Sequence, residues 1–130
     1  MNLFGIGIDV VEIARVQGSI NEFGDKFINR IFTQEEQDYC ERHKRKELHY
    51  AARFAAKEAV SKALGTGIGK DVAFREIQIE KKESGEPVVR LLGNAEMFAQ
   101  KNNIQLVKIS ISHADHYAAA NAVVMAGDWC

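Results

Sequence analysis

Residues 3–11, LFGIGIDVV, alternate so that Ile6, Ile8 and Val10 fall on one face and Gly7, Asp9 and Val11 on the other. This pattern predicts a buried strand carrying one carboxylate. From Glu12 onward the apolar positions switch to helical spacing at Ile13, Val16, Ile20, Phe23, Phe27 and Ile31, with Gly18 and Gly24 expected to break the helix into pieces. TQEE, residues 33–36, has the form of a capping box, with Thr33 as N-cap and Glu36 reaching back to open a helix towards His43. A long helix follows, starting near Arg45–Glu47 and stopping near Leu64, where Gly65 of GTGIG suits the C′ position. The stretch REIQIEKKESGEPVVRLLG alternates on both sides of a Ser84-Gly85 turn, which predicts a hairpin with Pro87 opening its second strand. Asn94 is placed as N-cap of a short helix. Val107, Ile109 and Ile111 then alternate with Lys108, Ser110 and Ser112, and a turn at Ala114–His116 leads into a strand through Val123–Met125. The order β, helices, β-hairpin, helix, β-hairpin argues for an α+β fold, a small and largely antiparallel sheet packed on a long central helix.

Composition narrows the picture. A chain of 130 residues, 46% hydrophobic and 27% charged, has the size and balance of one domain over residues 1–130. Its formal net charge of −1 argues against nucleic acid as a partner, since a phosphate-tracking surface is strongly basic. RHKRK, residues 42–46, is the one dense positive patch, either a solvated face or a phosphate holder. The N-terminus has no basic region before its apolar stretch and turns acidic at Asp9, so neither a secretion signal nor a membrane span is expected, and a cytoplasmic location is. Cys40 and Cys130 lie in no metal or redox spacing and read as bystander thiols, and the end of the chain, Trp129 and Cys130, carries no signal.

The candidate chemistry lies in RFAAKEAVSKALG, residues 53–65. At about 100° per residue, Phe54, Lys62, Ser61, Ala51 and Gly65 fall within about 60° of Glu58, while Leu48, Ala52, Ala56, Ala59, Val60, Ala63 and Leu64 take the opposite arc. That arc is mostly alanine and permits close approach to a sheet, bringing its flanks near strand residues such as Asp9. Glu58 and Lys62 alone would be an i,i+4 ion pair worth about 0.2–0.5 kcal/mol. Asp9 changes this, because a carboxylate inside an apolar strand needs a partner, and Gly7 clears space on the same face. Two carboxylates from separate elements are the protein share expected of a Mg²⁺ site completed by water and substrate phosphates, and an adjacent lysine supplies a point charge to those phosphates. Asp9, Glu58 and Lys62 therefore suggest metal-assisted chemistry at a phosphate or pyrophosphate. The GTGIG glycines serve as a helix stop or as a close approach of backbone to ligand. Phe54 suits either core or a ligand path, and His113 suits a satisfied structural histidine as readily as a site residue. Arg53, about 140° round the helix from Glu58, does not share one intramolecular pocket with it and suits a subunit interface.

Four stretches in order, GIGIDVVEIARV (5–16), RFAAKEAVSKALGTGIG (53–69), SGEPVVRL (84–91) and ISISHADHYAAANAVV (109–124), resemble the bacterial holo-acyl-carrier-protein synthases, small phosphopantetheinyl transferases of fatty acid synthesis. The resemblance implies transfer of 4′-phosphopantetheine from coenzyme A to a serine of acyl carrier protein, release of 3′,5′-ADP, a Mg²⁺ requirement, and a homotrimer with active sites between subunits. It implies that Asp9 and Glu58 are the metal carboxylates and that Lys62 binds phosphate. It further implies that Lys44, Arg45, Arg53 and His113 lie around the coenzyme A phosphates, some from a neighbouring subunit, and that Arg15 helps dock the carrier. Residues 12–30 hold only Arg15, Lys26 and Arg30 against Glu12, Glu22 and Asp25, a weaker positive face than an acidic carrier suits. The serine proton would pass to Glu58 or to a metal-bound water. A Mg²⁺-dependent phosphohydrolase and a non-catalytic coenzyme-binding module remain as rivals on the residues alone.

Overall fold

The computed structural model of the protein describes residues 1–127, so Trp129 and Cys130 lie outside the described residues. The chain runs β1 (Asn2–Glu12), α1 (Ile13–Phe23), α2 (Asp25–Ile31), α3 (Gln34–Glu41), α4 (Lys46–Ala63), a 3-10 turn (Phe74–Glu76), β2 (Ile77–Lys81), β3 (Pro87–Leu91), α5 (Gly93–Lys101), β4 (Ile104–His113) and β5 (Tyr117–Ala126). Among the described residues two antiparallel sheets form: a three-stranded one ordered β1-β5-β4 and the β2-β3 hairpin. The first strand thus pairs with the last, Asp9 opposite Ala120, a long-range pairing that local patterning does not reveal. In the hairpin Gly85 takes φ +94° and its N–H bonds the Lys82 carbonyl, so the turn needs the glycine.

The alternation of β1 is as predicted, but its faces are assigned differently. Ile6, Ile8 and Val10 stand 69%, 66% and 60% exposed, so the isoleucine row is an open face of the chain. The glycine face lies on α4 instead. A Cβ on Gly5 would come within 2.0 Å of the Ala63 carbonyl oxygen, and one on Gly7 within 2.0 Å of the Ala59 oxygen. The strand can rest on the helix backbone only because those side chains are missing, and Asp9, next on that face, is thereby carried to the flank of α4.

α4 runs Lys46–Ala63 with Arg45 and Leu64 at its caps, and it is buried on more of its circumference than an amphipathic wheel suggests. Ala51 and Ser61, placed by spacing on the polar arc, are inaccessible, as is Lys57. The Thr33–Glu36 capping box forms, with the Glu36 N–H donating to Thr33 Oγ1 and the Thr33 N–H to Glu36 Oε1. Gly18 does not interrupt α1: the break comes only at Gly24, whose φ of +58° turns the chain into α2. Asn94 is not the cap of α5. The helix begins a residue earlier, and its Asn94 N–H donates to Glu76 Oε2 at 2.6 Å, so a carboxylate remote in sequence does the capping. Two apolar clusters result, one between α4, the three-stranded sheet and α5, the other between α1, α2, α3 and the first half of α4. Among the described residues, no helix is long and apolar enough to cross a membrane.

Candidate active site

The end of β1, the start of α1 and the second half of α4 enclose a cavity of about 450 Å³ whose wall includes Asp9, Glu12, Arg15, Phe54, Glu58 and Tyr117. Asp9 reaches it because the glycine face of β1 is turned to the helix, and Phe54 and Glu58 reach it from successive turns of one stripe of α4. Lys62 joins from beside the cavity. Its Nζ donates to Asp9 Oδ1 at 3.1 Å and to the Ile8 carbonyl at 3.0 Å. The i,i+4 spacing with Glu58 is therefore not the contact the lysine makes; its ion pair crosses to the strand.

Glu58 is left with a raised pKa, chiefly because burial disfavours its charge and secondly because the Asp9 carboxylate is near, with Lys62 pulling the other way. Two hard oxygen donors that repel each other at a partly buried wall fit a divalent cation. Among the described residues no cluster of three His, Cys, Asp or Glu side chains could hold a metal, so a cation here has a pair of protein carboxylates and draws its remaining oxygens from water or phosphate. The donor chemistry suits Mg²⁺ and not a soft metal.

Apart from Arg15, the other sequence-derived residues lie elsewhere in the chain. Arg53 is 6% exposed and lines a second cavity, about 220 Å³, with His113, His49, Tyr39 and Lys81. Its guanidinium stacks on the Tyr39 ring at 3.9 Å, and its buried Nε has no hydrogen-bond partner. Glu58 and Arg53 thus face different cavities of one chain. Lys44 and Arg45 are exposed at the start of α4, where Arg45 lies 3.5 Å from Glu47, and neither lines the Asp9–Glu58 cavity. Gly65 ends α4 at φ +83° with its N–H on the Lys62 carbonyl. Arg15 stands exposed on α1 at the cavity wall.

Sequence reasoning passed over Tyr39, His49 and the buried Lys57–Glu36 pair. The spacing held a signal for one of them: Lys57 lies four residues after Arg53 in an alanine run, the interval that puts both on one buried stripe. His49 packs its ring 3.9 Å from that of His43. Burial, then the positive neighbours His43 and Arg53, bring its pKa down to about 4.

The family model of the 4′-phosphopantetheinyl transferase superfamily matches residues 5–122, a span that takes in Asp9, Glu58 and Lys62. The chain belongs to this superfamily. It is 48% identical over 124 residues to the holo-[acyl-carrier-protein] synthase of Ruminiclostridium cellulolyticum, covering 95% of this chain and 92% of that one. It is 44% identical to the synthase of the same name from Protochlamydia amoebophila, over 92% and 95% of the two chains. Among solved structures it superposes on the Neisseria meningitidis synthase with a TM-score of 0.90 at 33% identity, over 95% and 98% of the chains. The Helicobacter pylori synthase in complex with coenzyme A gives 0.83 at 38% identity, over 92% and 99%. The protein is a phosphopantetheinyl transferase of the holo-[acyl-carrier-protein] synthase type, with the α+β fold and small antiparallel sheets of those structures.

Proposed function

We propose that this transferase moves 4′-phosphopantetheine from coenzyme A to a serine of apo acyl carrier protein, releasing 3′,5′-ADP, and so serves fatty acid biosynthesis in the cytoplasm. The observation that carries this is that Asp9 and Glu58, from two elements, line one cavity, with Lys62 paired to Asp9 beside it, in a chain whose relative binds coenzyme A. Asp9 and Glu58 would hold Mg²⁺, which when bound neutralises charge on the pyrophosphate under attack. Glu58 Oε takes the proton from the attacking serine hydroxyl. Lys62, already carrying its charge to Asp9, stabilises the charge that develops on the departing phosphate of 3′,5′-ADP. Phe54 lines the apolar side of the path that the pantetheine arm follows.

The remaining contacts require more than one copy. Arg53 and His113, with Lys44 and Arg45, reach the outer phosphates of coenzyme A from a neighbouring subunit of a homotrimer, because within one chain Arg53 opens into a different cavity from Glu58. The open face of Ile6, Ile8 and Val10 supplies the apolar surface for that assembly. Arg15 meets the acidic carrier at the cavity mouth. Beside it Ser19 and Phe27 continue into a groove of about 390 Å³ lined also by Phe23, Lys26 and Arg30, apolar rings with two cations that offer an amphipathic helix of the carrier a modest positive surface.

The test is direct. Protein incubated with coenzyme A, Mg²⁺ and apo acyl carrier protein is expected to add one phosphopantetheine mass to the carrier serine. Cleavage of coenzyme A without any acceptor would point to a phosphohydrolase, and a folded, metal-supplied protein that modifies no carrier would sink the proposal.

A further inference from the structure

α4 meets its neighbours mainly through alanine. Ala51, Ala52, Ala55, Ala56, Ala59 and Ala63 are all buried. The bulky Leu48, Tyr50 and Arg53 lie in the first half of the helix, and the second half, around Glu58, has Val60 as its one large apolar contact and otherwise low ridges to fix its rotation. Rotation matters for the site. At the roughly 5–6 Å radius that side chains reach, a turn of about 20° carries a side-chain tip about 2 Å. Misplacement by about 1 Å at a reacting centre can lower a rate about 10²-fold.

One stripe of the helix is keyed. Lys57, with none of its side chain exposed, pairs with Glu36 of α3 at 2.6 Å and donates to the carbonyls of Phe74 at 2.9 Å and Ile77 at 2.7 Å. Glu36 accepts in turn from the backbone N–H groups of Thr33 and Ile79, both at 2.8 Å. Every partner is backbone or is itself held by backbone, so the ammonium has one place to go. Burial pushes the Lys57 pKa down while Glu36 pulls it back up. As a source of stability such a pair is weak, since a well-packed apolar replacement of both partners is often as stable. What it adds is direction, and Lys57 immediately precedes Glu58, about 100° round the same axis. The glycine contacts of β1 set how near the strand lies to α4, and the buried pair sets which way the helix faces it.

We infer that Lys57, held by Glu36, is a positioning residue that fixes the rotation of α4 so that Glu58 faces the Asp9 side of the cavity. This rests on Asp9 and Glu58 being the cation-holding pair. The experiment compares wild type with Lys57→Met combined with Glu36→Gln, which removes both charges and leaves neither buried alone. Mn²⁺ binding without substrate is followed by electron paramagnetic resonance, alongside thermal melting, kcat and the coenzyme A KM. The expected result is a cooperatively folded double variant with Mn²⁺ bound about 10-fold more weakly and kcat lowered about 10²-fold, while the coenzyme A KM moves less than about 3-fold. A folded double variant with wild-type Mn²⁺ affinity and kcat would overturn the inference. If the double variant does not fold, Glu36→Gln alone, which keeps both carbonyl acceptors of Lys57, decides: weakened Mn²⁺ binding supports the role, and unchanged binding overturns it. Wild type that binds Mn²⁺ but transfers nothing would overturn the transferase reading and leave this inference to be judged on metal binding. Wild type that binds no Mn²⁺ would overturn both.

Discussion

The surroundings of Glu58 disfavour its charge, at a cost to folding. Burial and the nearby Asp9 raise its pKa, so the native state keeps this proton to higher pH than the unfolded chain does. The sign follows: its contribution is neutral at low pH, and stability is lost as pH rises from the ordinary glutamate range through the raised value. Glu58→Gln should therefore melt at a higher temperature than wild type at neutral pH without divalent metal, with the gap closing on acidification. The same variant should lose at least about 10²-fold in kcat, because a proton acceptor and a cation ligand vanish together. Equal melting temperatures across the pH range would show that the carboxylate is not strained by its surroundings. His49 runs the opposite way. Its pKa falls from 6.5 to about 4 because of burial first and then His43 and Arg53, so the native histidine stays neutral while the unfolded one takes a proton. Stability from this source is complete above the ordinary histidine range and is lost as pH falls from 6.5 towards 4. His49→Phe, which keeps a ring against His43, should be the more stable protein near about pH 5 and no more stable near about pH 8, by urea unfolding at both.

At the scale of elements, the contact between β1 and α4 is what places two carboxylates on one cavity. Gly7→Ala would put a methyl group 2.0 Å from the Ala59 carbonyl, a backbone atom that cannot turn aside. The expected loss is at the upper end of overpacking effects, about 3 kcal/mol, with activity falling alongside. Gly18 is the control, since it lies inside α1 and a Cβ there meets nothing within 4 Å. Gly18→Ala should stabilise by about 0.5–1 kcal/mol in the same urea titration. The contrast also shows what a sequence makes visible. The alternation of β1, the Thr33 capping box, the span of α4 and the Ser84-Gly85 hairpin were legible because they depend on neighbours in the chain. The capping of α5 by Glu76, the pairing of β1 with β5 and the Lys57–Glu36 pair were not, because each joins segments set by the tertiary fold. Asp9 was grouped with Glu58 and Lys62 for a local reason: a carboxylate two residues after a glycine in an apolar strand already asks for a partner. The outward turn of Ile6, Ile8 and Val10 was missed because alternation tells two faces apart without saying which is inside.

For the whole molecule, that outward face bears on how many copies act together. Three large aliphatic side chains in a row, each at least 60% exposed, are an apolar surface that a chain left alone would hold in water. The proposed homotrimer covers it, and light scattering should then give three times the 14.5 kDa chain mass. Ile8→Lys should keep the fold, because the residue meets solvent in the single chain, yet shift the mass to one copy and lower kcat/KM by at least about 10-fold. A shared site makes a stricter demand. Glu58→Gln and Arg53→Ala would each disable one half of every site, on different subunits. Mixed in equal amounts and exchanged through mild dissociation, they should regain about a quarter of wild-type activity, the statistical share of interfaces pairing an intact Glu58 with an intact Arg53. Mixed trimers that form, as shown by mass, but regain no activity would mean that Arg53 and Glu58 serve the reaction from one chain. The same mixture carrying Ile8→Lys and kept as single copies should regain nothing, since complementation requires a boundary across which the two halves meet.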